Sequence, residues 1–259
     1  MQWILQKFED TENLVPILER LGARWSWHKV VPFVGDLFPE PVVEDPSAVV
    51  MFGSYSLRFF SERRGYRPGV FVIRPFVHQE AWYPFLLNGR NAQFLTVRDI
   101  PAHLPDDGKD WFFRPVDDSK AEPGSVMSAR DIISLAEQVL RLKEDETPVG
   151  SLRHDTELML SEPKRILKEW RLWIVGAQIV TYSLYRDGSR VVYRHEIDED
   201  ALEFAKTMVS LHPDYSPAYV MDVCRTEEGL FIVETNCLNA AGFYAADLEK
   251  LVNAIEEIG

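Results

Sequence analysis

The stretch AYVMDVCRTEEGLFIVETNCLNAAGF, residues 218–243, decides the fold of this chain. Two runs of strand-forming residues flank the turn sequence RTEEG, which predicts a β-hairpin with strands over 217–224 and 230–236. The loop that follows contains small residues and a glycine. The hairpin therefore presents a defined set of side chains on each of its faces.

Three polar side chains of this hairpin share a face with apolar neighbours. Side chains alternate along a strand, so Asp222 points to one face of the first strand, while Glu234 and Asn236 share a face of the second. If the loop covers residues 227–229, Asp222 lies directly opposite Glu234, and a longer loop places the two diagonally. Two carboxylates and an amide oxygen then converge.

Like charges at that spacing repel, so a cation must offset the repulsion. Magnesium prefers oxygen ligands and commonly bridges carboxylates and nucleotide phosphates. Acidic residues on a strand face that simply meets water are equally compatible with the spacing alone. The Glu-x-Asn pair that follows an aligned Asp favours the metal site.

Composition excludes several classes of function. The 259 residues carry a formal net charge of −13 and no basic run, which argues against general nucleic-acid binding. The apolar runs are far shorter than the roughly 18 residues that suggest a membrane span. Without a visible signal peptide, the two cysteines indicate reduced thiols in the cytoplasm. No nucleophile elbow, P-loop or metal-binding histidine spacing occurs.

Strands alternate with helices over residues 1–100, which predicts a parallel, Rossmann-like arrangement. The predicted strands here are 3–6, 25–33, 49–52, 70–73 and 94–97, and the predicted helices are 12–21, with Thr11 as N-cap and Gly22 as its end, and 55–64. A polar linker, residues 101–110, indicates a domain boundary. Beyond it, the predicted strands are 111–116, 157–160, 169–175 and 178–185, and the predicted helices are 129–142, 198–211 and 245–258.

The hairpin resembles the C-terminal metal signature of the ATP-grasp superfamily, in which an Asp or Glu on one strand precedes Glu-x-Asn on the next. The resemblance implies that Asp222, Glu234 and Asn236 hold one or two magnesium ions, with Mn²⁺ as an alternative, across the phosphates of ATP. It implies an α/β chain of ATP-grasp type. The implied domains are a Rossmann-like lobe at 1–105 and an ATP-grasp domain at 106–259, made of a small ATP lobe (106–160) and a metal-binding lobe (161–259) with the nucleotide between them.

Nucleotide-binding residues follow from the same resemblance. WFFRP is similar to the strand that ends in a basic residue, with Arg114 where a Lys is usual, and Lys120 resembles the second basic element. The adenine hinge falls on Ser161, Glu162, Pro163 and Lys164. Arg114 and Lys120 taken singly also fit ordinary solvated charges.

The next strand carries the remaining implied site residues. Glu169 falls where the family keeps an acid for the ribose hydroxyls, and Arg171 is similar to an Arg that approaches substrate or phosphate. Arg186 is placed where related ligases steady the acyl-phosphate. For Arg171, a surface ion pair is the alternative. Asn239 and Tyr244 either face a substrate or cap and pack the loop after the metal motif.

Family resemblance implies an ATP-dependent carboxylate–amine ligase that works through an acyl-phosphate. Its partners would be ATP, a carboxylate substrate and an amine acceptor such as an amino acid, a peptide or a protein terminus. Arg171, Arg186 and Lys120 would be the catalytic residues. A small-molecule phosphotransferase and a non-catalytic ATP-binding regulatory protein are the alternatives.

Overall fold

The chain passes twice through one of its two structural units. The first unit consists of residues 1–74 and 166–259, and the second consists of residues 75–165. The computed structural model describes the chain except for residues 32–33, 90, 118–121, 144–146, 148–150 and 259.

The first passage builds a mostly parallel five-stranded sheet. Its elements are β1 (Gln2–Gln6), α1 (Glu9–Glu12), α2 (Val15–Leu21), β2 (Arg24–Val30), β3 (Leu37–Phe38), β4 (Val49–Phe52), α3 (Leu57–Arg64) and β5 (Pro68–Gly69). The strand order is β3-β2-β1-β4-β5, and only the β2–β3 pair is antiparallel. The central strands are buried on both faces, because Trp3 and Phe52 enter one hydrophobic cluster and Ile4 and Met51 enter another. Nearly continuous apolar runs are typical of such strands.

The helix predicted over 12–21 is wrong, because the structure divides that segment into α1 and α2. Pro16 lies in the first turn of α2, where a missing N–H is tolerated. Thr11 is not an N-cap but a residue inside α1, and its hydroxyl accepts a hydrogen bond from the Phe8 N–H at 3.0 Å. Gly22 does end the helix, with a φ of 66°.

The strand predicted over 70–73 is also wrong, because strand β5 ends at Gly69. The Phe71 N–H donates to Oδ1 of Asn239 at 2.8 Å, and the Val72 carbonyl accepts from the Ser216 hydroxyl at 3.1 Å. Side chains therefore bond the backbone groups that a strand would have paired.

The second unit contains a four-stranded antiparallel sheet. Its elements are β6 (Gln93–Thr96), α4 (Ile100–His103), β7 (Asp110–Pro115), β8 (Ser125–Ser128), α5 (Ala129–Leu140) and β9 (Glu157–Ser161), with strand order β6-β9-β7-β8. Ser128 caps α5 as predicted, since its side chain accepts from the Asp131 N–H. The boundary predicted at 105/106 falls inside this unit, because β6 pairs with β9.

The second passage through the first unit forms an antiparallel five-stranded sheet. Its elements are β10 (Lys168–Val175), β11 (Gln178–Asp187), β12 (Arg190–Arg194), α6 (Glu199–Leu211), β13 (Ala218–Thr226), β14 (Gly229–Asn236) and α7 (Leu248–Glu257). The strand order is β12-β11-β10-β13-β14. The predicted strands and helices of this segment are present, with ends that shift by a few residues.

One hydrophobic core serves both passages. Trp3 and Phe52, whose rings stack at 5.4 Å, share a cluster with Trp173, Val220 and Leu251. The predicted lobes 1–105 and 161–259 therefore have a common core. Cys224 and Cys237 are buried free thiols, in agreement with the prediction. The helices that the structure describes are all too short or too polar to span a bilayer.

Candidate active site

A bulge in the β13–β14 hairpin aligns its two acids. The hairpin turns over only two residues, 227–228, and a regular ladder from that turn would put Asp222 opposite Val233. A shift in register next to Asp222 puts Glu234 opposite it instead. The predicted pairing is confirmed, but a bulge produces it rather than a loop over 227–229.

Arg171 supplies a positive charge beside Asp222. Strand β10 pairs with β13 so that Arg171 lies directly opposite Asp222. Its Nε donates to Oδ1 at 2.8 Å and its Nη2 donates to Oδ2 at 2.7 Å. Asp222 has no exposed surface, and Arg171 is 7% exposed. Two parallel charge-assisted hydrogen bonds hold both groups in a fixed geometry.

Asn236 connects the two acids. Its Nδ2 donates to Oε1 of Glu234 at 2.9 Å and approaches Oδ2 of Asp222 at 3.5 Å. Nη2 of Arg171 lies 4.0 Å from Oε1 of Glu234. Glu234 is the more accessible acid, since 26% of its side chain is exposed. The predicted trio thus lies together, and Arg171 is a cation among its members.

Tyrosine rings surround the guanidinium of Arg171. Its Nη1 donates to the Tyr244 hydroxyl at 3.3 Å, and its Cζ lies 4.8 Å from the centre of that ring and 5.6 Å from the ring of Tyr185. The Tyr185 and Tyr193 rings both stack on Tyr244. Tyr244 has a φ of 49°, which is uncommon for a bulky residue. The rings add cation–π attraction to the hydrogen bonds that hold Arg171.

Glu169 lies on the same face of β10 as Arg171, and it is 5% exposed. Its carboxylate accepts a hydrogen bond from the Tyr185 hydroxyl, and Nη1 of Arg186 lies 3.8 Å from it. Burial and then the charge of Asp222 raise the pKa of Glu169 to about 7. The structure thus brings together three of the residues predicted on β10 and β11, while their roles toward ribose and acyl-phosphate stay predictions.

The acids of this cluster outnumber its firmly held cation. Burial raises the pKa of Asp222 to about 6, against the opposing pull of Arg171. Burial alone would lower the pKa of Arg171, but Asp222 raises it above its ordinary value, so the guanidinium stays charged. Three carboxyl groups, Glu169, Asp222 and Glu234, surround one buried arginine. The electrostatics leave room for an added cation.

The donor set fits magnesium in its chemistry, since it offers two carboxylates and an amide. Asn236 turns its amide nitrogen to the acids, and a half-turn of that amide would present the oxygen instead. Within the described ranges, no three His, Cys, Asp or Glu side chains group so as to hold a metal. A metal here would rely on Asp222, Glu234, Asn236 and further oxygens from a ligand or water.

The loop after β14 is anchored by a residue whose role the sequence did not settle. Asn239 is 4% exposed, and its side chain accepts from the Phe71 N–H and donates to the Met51 carbonyl at 2.7 Å. Its own carbonyl accepts from the Gly53 N–H at 3.0 Å. Asn239 therefore packs and caps, and it ties the strand that carries Asn236 to the parallel sheet.

The predicted nucleotide residues of the second unit have a separate environment. Arg114 lies on β7 opposite Met159, and its Cζ lies 5.0 Å from the centre of the Phe76 ring. Ser161 is the last residue of β9 and is buried, and the predicted hinge residues Glu162, Pro163 and Lys164 follow it. Lys120 lies outside the described residues. The assignments of all of these to ATP stay predictions.

Comparison with known proteins identifies the family. The model of an ATP-grasp domain family, clade family 3, matches residues 77–255. The fold is similar to that of a RimK domain ATP-grasp protein from Sphaerobacter thermophilus, with a TM-score of 0.61, 12% identity and full coverage of both chains. No curated protein sequence matches the chain.

Two further similarities are to ligases. The ATP-grasp ligase PsnB, complexed with a minimal precursor, matches with a TM-score of 0.56 and 12% identity over 98% of this chain and 97% of that one. The D-alanine–D-alanine ligase of Bacillus anthracis, complexed with ATP, matches with a TM-score of 0.56 and 12% identity over 99% and 95%. Identities this low show the fold alone.

A parallel sheet, two antiparallel sheets and an Asp followed by Glu-x-Asn on paired strands define an α/β protein of the ATP-grasp fold. The chain belongs to this ATP-grasp domain family, clade family 3, whose model spans most of it.

Proposed function

We propose that this chain is an ATP- and magnesium-dependent ligase that joins a carboxylate to an amine through an acyl-phosphate. The observation that carries the proposal is the convergence of Asp222, Glu234 and Asn236 on paired strands of a family member. The acceptor amine belongs to an amino acid, a peptide or a protein terminus. The peptide-bound structure of PsnB and the D-alanine ligase support this class of partner.

The reaction has two steps. A carboxylate oxygen of the first substrate attacks the γ-phosphorus of ATP, and the bond to the bridging oxygen breaks to release ADP. The amine then attacks the carbonyl carbon of the acyl-phosphate, loses a proton and displaces phosphate. The first step needs no protein base, because an ionised carboxylate is already a nucleophile.

The protein contributes position and charge in this scheme. Asp222, Glu234 and Asn236 would hold magnesium, which neutralises the negative charge on the phosphates during transfer. Arg171, Arg186 and Lys120 are the proposed catalytic cations. Arg114, Glu169 and the hinge residues 161–164 are proposed to bind the nucleotide.

A pair of substitutions tests the metal site. Glu234→Gln removes the more accessible charge and keeps the side-chain volume, and Asp222→Asn does the same for the buried charge. We expect the double variant to lose magnesium-dependent ATP binding, as measured by calorimetry, while circular dichroism shows a folded chain. Glu228→Gln, in the exposed turn of the same hairpin, is the matched control and should bind as the wild type does. Unchanged magnesium-dependent affinity in the folded double variant would refute the site.

A turnover assay separates the ligase from the two alternatives. ADP release that requires both an acid and an amine supports ligation. ADP release with one acceptor and a stable phosphorylated product indicates a phosphotransferase. Nucleotide binding without turnover across a broad panel of acids and amines indicates a regulatory protein.

A further inference from the structure

Arg171 holds the same Asp222 oxygens that the proposed metal needs. The guanidinium spans both oxygens of the carboxylate, at 2.8 Å and 2.7 Å, and leaves Asp222 without exposed surface. The third nitrogen, Nη1, is bonded to Tyr244, so the guanidinium is held from two sides. The buried acid therefore has its countercharge before any metal arrives.

A divalent ion and a guanidinium make competing demands on this carboxylate. Magnesium requires short, nearly octahedral contacts to oxygen, and its charge would repel a guanidinium bonded to the same group. Removing Arg171 from Asp222 without a replacement would leave a buried charge uncompensated. One cation can thus replace the other, but a second cation adds to the first only at a penalty.

We propose that Arg171 is the resident countercharge of the acid cluster, and that a divalent metal binds Asp222 only as Arg171 gives up hydrogen bonds to it. The identity of the metal rests on the proposed function. Arg171 then positions Asp222 and sets how tightly the metal binds. An anionic phosphate can take the released guanidinium, because Arg binds phosphate with the same two-bond geometry as a carboxylate.

A coupling between ligands follows from this exchange. Metal alone must displace Arg171 from its only two-bond partner, whereas metal that arrives with a nucleotide offers Arg171 a new one. Each ligand should therefore tighten the binding of the other by the same factor. The ring contacts of Tyr244 and Tyr185 can hold the guanidinium on either partner, since cation–π attraction does not depend on Asp222.

Direct metal binding tests the proposal without any turnover. Mn²⁺ is titrated into the full chain without nucleotide, and free Mn²⁺ is followed by electron paramagnetic resonance. We expect Arg171→Gln to bind Mn²⁺ at least about tenfold more tightly than the wild type, because a neighbouring positive charge is gone. Mg²⁺ should also raise the melting temperature of the variant more than that of the wild type.

Arg171→Lys keeps the charge but cannot bond both Asp222 oxygens at once, so it serves if the Gln variant does not fold. Its Mn²⁺ affinity should lie above that of the wild type and below that of any folded Gln variant. Arg225→Gln is the matched control, because Arg225 lies on the same sheet but pairs with Asp198 and Asp200. Its Mn²⁺ affinity should equal that of the wild type.

Equal or weaker Mn²⁺ binding in a folded Arg171 variant would overturn the proposal. A chain that shows the predicted Mn²⁺ affinities but releases no ADP with any acid and amine would instead overturn the ligase assignment. The two failures are therefore distinguishable.

Discussion

Asp222 carries a carboxylate in a place without any exposed surface, and Arg171 is the reason it can do so. Removing one member of a buried, hydrogen-bonded ion pair typically costs about 3–5 kcal/mol, because the other charge remains uncompensated. Replacing both members together is often much less harmful. Substitutions in this cluster are therefore best made in pairs or with isosteric neutral groups, as in the tests above.

Glu169 makes the stability of the chain depend on pH. Its pKa in the folded chain, about 7, lies above its ordinary value of 4.5, so the folded state binds the proton more tightly than the unfolded state does. This stabilising contribution is complete below pH 4.5 and is lost as the pH rises through 7. Glu169→Gln imitates the protonated form, so we expect it to gain stability relative to the wild type by up to about 3 kcal/mol between pH 5 and pH 8.

Urea unfolding at pH 5 and pH 8 measures this difference. Glu203→Gln, an exposed residue of α6, is the control and should show no such change. Parallel pH profiles for the wild type and Glu169→Gln would contradict the assigned environment.

The alternation of residues in strands is enough to place Asp222, Glu234 and Asn236 together from sequence. It is not enough to find Arg171 beside Asp222, because that contact depends on which strand lies next to β13 in the sheet. The neighbour is β10, about 50 residues earlier in the chain, and local patterns carry no information on such pairing. The tyrosines around Arg171 were missed for the same reason.

At the scale of elements, the loop after β14 is held by one side chain. Asn239 bonds backbone groups of Met51 and Phe71, at the ends of two different segments of the chain. A buried backbone donor or acceptor that loses its partner costs about 1–3 kcal/mol. This loop directly follows the strand that carries Glu234 and Asn236, so its anchoring also positions the candidate site.

We expect Asn239→Ala to destabilise the chain by about 2–4 kcal/mol, since it removes partners from more than one buried backbone group. Chemical denaturation measures the change. Asn13→Ala, at an exposed asparagine, should change stability by less than about 0.5 kcal/mol. Equal stability of the Asn239 variant and the wild type would show that the loop does not depend on this side chain.

Most elements could be predicted from hydrophobic periodicity and turn residues, but the exceptions share a cause. The strand predicted over 70–73 looked apolar enough to pair, yet Asn239 and Ser216 satisfy its backbone from distant positions. The bulge that aligns Asp222 with Glu234 likewise has no signature in the local sequence, which reads as regular alternation.

At the scale of the whole molecule, residues 1–74 and 166–259 fold around one core. Trp173, Val220 and Leu251 bury themselves against Trp3 and Phe52, so neither segment covers its apolar residues alone. The domain boundary predicted at the polar linker 101–110 was a reasonable inference from composition. Composition, however, cannot show that a chain returns to a unit it has already left.

A fragment of residues 77–259 contains the whole match to the family but lacks half of this core. We expect the isolated fragment to lose the cooperative unfolding transition of the segment 166–259, as measured by urea denaturation followed by tryptophan fluorescence. Co-expression with residues 1–76 should restore it. A fragment that unfolds with the midpoint of the full chain would disprove the dependence.

The double passage also sets an order of events during synthesis. Residues 1–74 leave the ribosome while 75–165 and then 166–259 are still being made, and at typical elongation rates the intervening unit alone takes about 5–20 s. The second unit has all of its strands by then and can fold, while the parallel sheet waits with Trp3 and Phe52 uncovered. The nascent N-terminal segment is therefore the part of this chain that most needs a chaperone.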